Sequence, residues 1–102
     1  MDELNARFLP QFIALARARV ARALAAVTER APGAGTAVAH ELHALVGEAG
    51  LLGQRDVIPL ARDGEIKAKA LGSGASDAAP LIETLRQLET VIESIGATHT
   101  SK

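Results

Sequence analysis

Leu81, Leu85, Leu88, Ile92 and Ile95 recur at intervals of four and three residues, a spacing that puts all five on one stripe of an α-helix. Three other segments carry the same period. The first contains Phe8, Phe12, Leu15, Arg19, Ala23 and Val27, with Val20 and Leu24 filling in. The second contains Val38, Leu42, Leu45, Ala49 and Leu52, and the third Val57, Leu60, Ala61, Gly64, Ala68 and Leu71. Between them lie the breakers "APGAG" (31–35), "GQRD" (53–56) and "GSGASD" (72–77). Four amphipathic helices with short joints predict an all-α fold, an antiparallel up-down four-helix bundle. A chain of 102 residues is one domain, 1–102, with helices over roughly 9–30, 37–52, 57–71 and 78–95.

The helix ends have local signals. Thr36, Asp56 and Asp77 are the expected N-caps. Pro59 and Pro80 each follow an Asp by three residues, where a missing N–H breaks no intrahelical bond. Pro10 allows two readings: the first helix starts near Leu9, or a longer helix bends there. Gly96 is the expected stop of the fourth helix, and the final "ATHTSK" is expected to fray.

Phe8 and Phe12 are the only aromatic residues, so the core is built from Leu, Ile, Val and Ala, which favours packed helices over a β-sandwich. With no cysteine there is neither a disulfide framework nor a thiolate metal site. Eleven Lys and Arg against twelve Asp and Glu leave no electrostatic case for a nucleic-acid or membrane partner. The five arginines of the first segment, Arg7, Arg17, Arg19, Arg22 and Arg30, are expected to form a solvated face. No apolar run approaches ~18 residues, and Met1 is followed by Asp2, Glu3 and Leu4 rather than by a basic, then apolar, leader. The expectation is a cytoplasmic protein.

The chemistry concentrates in "AHELHALVGEAGLLG" (39–53). On a helical wheel His43 points about 150° from the centre of the buried stripe, so it is displayed rather than packed. Ala39, Val46, Gly47 and Gly50 surround it, all small or apolar where a solvated face would carry Glu, Lys, Gln or Arg. Each glycine costs about 1 kcal/mol of helix propensity relative to Ala. Clearing side chains from an exposed imidazole lets another protein's surface descend onto it, and these four residues are the expected docking surface. The alternative is that Gly47 and Gly50 admit a neighbouring helix. His40, Arg55 and Arg62 are candidate rim residues.

The run from His43 to Gly53, H-x-L-x-G-x-A-G-x-L-G, resembles the signature of histidine phosphotransfer (HPt) domains, including the N-terminal phosphotransfer domain of chemotaxis-type histidine kinases. The resemblance implies a four-helix bundle with the phosphorylated histidine, here His43, exposed on the second helix. It extends to "LARDGE", whose Glu65 stands 22 residues after His43. In chemotaxis-type members a Glu at that spacing accepts a hydrogen bond from the histidine Nδ1. The wheel independently puts Glu65 at the border of its own stripe, about 85° from the centre. The chain departs from the family at Val46, where many members carry a Lys that helps hold the phosphoryl group. That ammonium is absent here, or comes from the partner or from another side chain.

The implied function is phosphotransfer within a two-component system or phosphorelay, without catalysis of its own. The implied partners are a sensor histidine kinase and a response-regulator receiver domain. They would supply Mg²⁺ and either ATP or the acceptor Asp, so the chain needs no cofactor of its own. The alternative is a degenerate HPt-like interaction module. His40 and His43 in "HELH" lack the H-E-x-x-H spacing of zinc enzymes, and no metal site is predicted. His40 itself is read as a surface residue, too early for the glycine pair. No phosphate loop, nucleophile elbow or carboxylate pair suggests an enzyme.

Overall fold

Four helices follow in chain order: α1 (Asp2–Thr28), α2 (Ala34–Leu51), α3 (Val57–Gly72) and α4 (Ala79–Thr100). The computed structural model describes residues 2–75 and 77–100. Each helix packs against its neighbours in sequence, and α1 closes the ring against α4. Among the described residues the backbones of diagonal helices stay apart, which is the arrangement of an antiparallel up-down bundle. The long axis, 44 Å, is close to the length of α1 at about 1.5 Å per residue. No helix among the described residues is long and apolar enough to cross a membrane.

The core is aliphatic: Val20, Val38, Leu42, Leu45, Val57, Leu81, Leu85, Leu88 and Ile92 are all buried. Thr84, the buried polar side chain, is fully engaged. Its hydroxyl accepts from Lys67 Nζ at 2.8 Å and lies 3.1 Å from both Asp63 Oδ2 and Pro80 O. The hydrogen bond from Lys67 holds the Asp63 carboxyl below its usual range, with burial opposing. This cluster pins α3 to α4.

Several helix ends differ from expectation. α1 runs unbroken through Pro10 from Asp2 and ends at Thr28 rather than 30. α2 starts at Ala34 instead of after Thr36, because Gly33 turns the chain in the left-handed region (φ 72°) and becomes the N-cap without any side-chain hydrogen bond. Asp56 occupies the N-cap position of α3, but its carboxylate makes no capping bond. Asp77 does cap, its Oδ1 accepting from Ala79 N at 3.0 Å. α2 and α3 both stop at a glycine that only a left-handed φ satisfies, Gly53 (68°) and Gly74 (113°). Gln54 N then bonds Ala49 O and Ala75 N bonds Ala70 O, the closing bonds of Schellman ends.

Gly96 does not end α4, which continues to Thr100; Ser101 and Lys102 lie outside the described residues. A Cβ at Gly96 would sit 2.9 Å from Arg17 Nη2 and 3.6 Å from Ile13 Cγ2. This glycine makes room for α1 instead of breaking its helix.

The α1 stripe is rotated relative to expectation. Ile13 and Ala16 are buried, whereas Phe8 and Leu15 are exposed. Arg19 forms ion pairs rather than packing in the core. Its guanidinium bonds Glu48 through Nε (3.0 Å) and Nη2 (2.6 Å), and Glu41 through Nη1 (2.7 Å). Arg22 joins at Glu41 (3.1 Å), and Arg17 pairs with Glu93 (2.8 Å). The α1 arginines are therefore not simply a solvated face. Arg22, aided by Arg19 and opposed by burial, holds the Glu41 carboxyl below its usual range. Glu41 and Glu48 lie about 150° round α2 from His43, so they fix the rotation of α2 from its α1 side.

The α2–α3 contact is lined by glycine. A Cβ on Gly35 would collide with Gly72 N and fall 2.7 Å from Ala68 O, so the two backbones approach without side chains between them. Gly64 receives Leu42 in the same way, with Leu42 Cδ1 only 2.7 Å from where its Cβ would be. Gly35→Ala is expected to lower stability by about 3 kcal/mol, despite a propensity gain of about 1, because backbone cannot yield as a side chain can. Thermal unfolding checks this: the melting temperature should drop by more than about 10 °C. A rise would mean that the helices are not in backbone contact.

Candidate functional site

Leu42 and His43 are adjacent on α2, and Gly64 and Glu65 are adjacent on α3. The Leu42–Gly64 contact therefore sets the register that brings the next pair together. His43 Nδ1 and Glu65 Oε2 are 3.2 Å apart. A carboxylate can only accept, so this hydrogen bond requires the proton on Nδ1 and, in the neutral ring, leaves Nε2 with its lone pair. The His43 side chain is 78% exposed and that of Glu65 15%. The carboxylate is thus an internal fixture of the bundle, while the imidazole projects from it.

The same Glu65 Oε2 lies 3.2 Å from Lys69 Nζ, one turn further along α3. Glu65 is shared between an imidazole and an ammonium. Reading the sequence missed Lys69. An i, i+4 Glu–Lys pair is visible in "EIKAK", but its meeting with His43 depends on how α2 and α3 are registered.

No family model, curated protein or solved structure matches the chain. What the site can do rests on its residues and their geometry.

The expected docking residues divide in three ways. Gly47 and Gly50 are exposed, and a Cβ at either would meet nothing within 4 Å. Neither admits a neighbouring helix of this chain. Val46 is half-buried against the core. Ala39 is a correction: it is 5% exposed and belongs to the core. It lies about 40° round α2 from His43, on the flank facing α3. The glycine-lined contact brings α3 so close that burial wraps round α2 as far as Ala39.

The apolar surface missed by the sequence reading lies on the other flank. Leu51 is 81% exposed and follows Gly50 directly. With Phe8, Phe12 and Leu15 of α1 and Leu52 it lines a shallow groove between α1 and the end of α2. Phe8, Leu15 and Leu51 are exposed at this groove, while Phe12 is buried beneath it and Leu52 half-buried.

The candidate rim residues His40, Arg55 and Arg62 are all exposed, and none bonds to His43. Among the described residues no group of three or more His, Asp or Glu is placed to hold a metal ion.

Proposed function

We propose that the chain is a histidine phosphotransfer domain of a cytoplasmic two-component system or phosphorelay, phosphorylated on His43. The observation that carries this reading is the single contact of an exposed imidazole with a carboxylate held inside the bundle. A nucleophile offered to another protein must project, and must present one nitrogen in a fixed tautomer. Glu65 serves the second need and Gly47 and Gly50 serve the first.

In the forward step the Nε2 lone pair forms a bond to phosphorus as the bond between phosphorus and the donor's leaving oxygen breaks. The leaving oxygen keeps that electron pair. The ring becomes an imidazolium, and its Nδ1–H to Glu65 bond strengthens because donor and acceptor are now both charged. In onward transfer a carboxylate oxygen of a receiver Asp attacks the same phosphorus, and the N–P electron pair returns to Nε2. The metal and the groups that neutralise the moving phosphoryl charge belong to the partner. Glu65 orients the ring and supports its developing charge.

Incubation with ATP and a sensor histidine kinase should give phosphate on His43 that is labile in acid and stable in base. A chain that binds kinase or receiver but never acquires such phosphate is instead an interaction module, the reading that Val46 in place of the common Lys favours. Glu65→Ala should slow phosphorylation about 10²-fold, the lower range for a positioned acid–base group, with partner affinity unchanged because Glu65 faces inward. An unchanged rate in a stopped-flow or quenched-flow assay removes Glu65 from the mechanism.

A further inference from the structure

We propose that the Lys69 ammonium pairs with the oxygens of the phosphoryl group while that group is bonded to His43, an inference that rests on His43 being the phosphorylated residue. Lys69 Nζ and His43 Nδ1 each lie 3.2 Å from the one oxygen, Glu65 Oε2. The ammonium is therefore within two hydrogen-bond lengths of the ring. Its side chain is 67% exposed on a flexible four-carbon stem, so its tip is free to change partner.

The surrounding charges single it out. On α2 the neighbours of His43 are buried Ala39, half-buried Val46 and the two bare glycines, with exposed His40 one turn before. From α1, Arg19 and Arg22 are committed to Glu41 and Glu48, on the far side of α2. On α3, Lys67 is committed to Asp63 and Thr84. Arg62 is exposed one turn before Glu65 and makes no bond to it or to His43. The backbone of α4 does not come close to that of α2. Among the described residues, Lys69 is the cation that shares a carboxylate oxygen with His43.

Phosphorylation changes what each group prefers. Before it, the imidazole Nδ1–H and an ammonium share one carboxylate oxygen. Afterwards the imidazolium binds Glu65 more strongly, while a phosphoryl dianion stands at Nε2. Lys69 then exchanges the carboxylate for the phosphoryl oxygens by rotating its stem. Two cations and two anions remain paired within the bundle, before and without any partner.

Phosphoramidate, a small donor that needs no partner protein, is the probe for the purified chain. The Nε2 lone pair bonds to phosphorus, the donor's P–N bond breaks, and ammonia departs with that electron pair. The ³¹P resonance of phospho-His43 is then followed against pH in the wild type, Lys69→Gln, Lys69→Arg and Arg62→Gln. An adjacent ammonium favours the dianion, so Lys69→Gln should raise the phosphoryl ionisation midpoint by about half a unit, less at high salt. Lys69→Arg should restore the wild-type midpoint and Arg62→Gln should leave it alone. A midpoint that ignores Lys69→Gln, or that follows Arg62→Gln instead, overturns the role of Lys69 and leaves His43 as acceptor. Failure of His43 to take phosphate overturns this inference together with the proposed function.

Discussion

His43→Gln should give a bundle as stable as the wild type, within about 0.5 kcal/mol, that accepts no phosphoryl group from any donor. The ring is largely exposed, so its removal opens no cavity. Glu65 is not stranded, because Lys69 still holds the same oxygen and a Gln amide can donate to it. The chemistry, however, is lost completely, since an amide nitrogen has no free lone pair with which to attack phosphorus. Parallel thermal melts and phosphorylation assays check both halves. Phosphorylation that persists in His43→Gln and vanishes in His40→Gln would show that the neighbouring histidine is the acceptor.

Gly47→Gln should separate stability from function in the opposite direction to Gly35→Ala. Nothing lies within 4 Å of a Cβ at position 47, so the substitution recovers helix propensity without a clash. Stability should rise by up to about 1 kcal/mol, or roughly 4–8 °C in melting temperature. Phosphotransfer should nevertheless fall by about 10²-fold or more, because the new side chain stands one turn beyond His43. It holds the partner's reacting atoms away from in-line contact with Nε2, where displacements near 1 Å have effects of that size. A less stable variant with normal transfer would mean that Gly47 packs against the bundle. The two glycine substitutions test one idea: Gly35 is glycine for a contact within the chain, and Gly47 for a contact outside it.

The direction in which α2, α3 and α4 face the core was legible from periodicity, whereas α1 is rotated so that Phe8 and Leu15 face outward and Ile13 and Ala16 face in. Leu81, Leu85, Leu88 and Ile92 are buried as spaced, His43 is displayed, and Asp77 caps α4. How closely neighbouring helices approach was not legible, because it depends on residues of two helices at once. Gly35 against Gly72, and Leu42 against Gly64, draw α3 in far enough to bury Ala39. Gly96 has the composition of a stop signal, but its small size serves Arg17 and Ile13 of α1. Arg19 occupies a stripe position by spacing, yet two glutamates one helix away determine its role. Lys69 was hidden for the same reason. Its pairing with Glu65 is local, while its nearness to His43 exists only once α2 and α3 are in register.

Where the phosphoryl group sits on the ring tests the account most directly. Long-range ¹H–¹⁵N correlation of the imidazole nitrogens in the phosphorylated, ¹⁵N-labelled chain distinguishes the two positions, since each nitrogen couples differently to the ring carbons' protons. With Nδ1–H committed to Glu65, phosphate is expected on Nε2 of His43 with the proton retained on Nδ1. Phosphate on Nδ1 of His43, or on His40, would contradict it, because neither is compatible with Glu65 holding the ring for attack through Nε2.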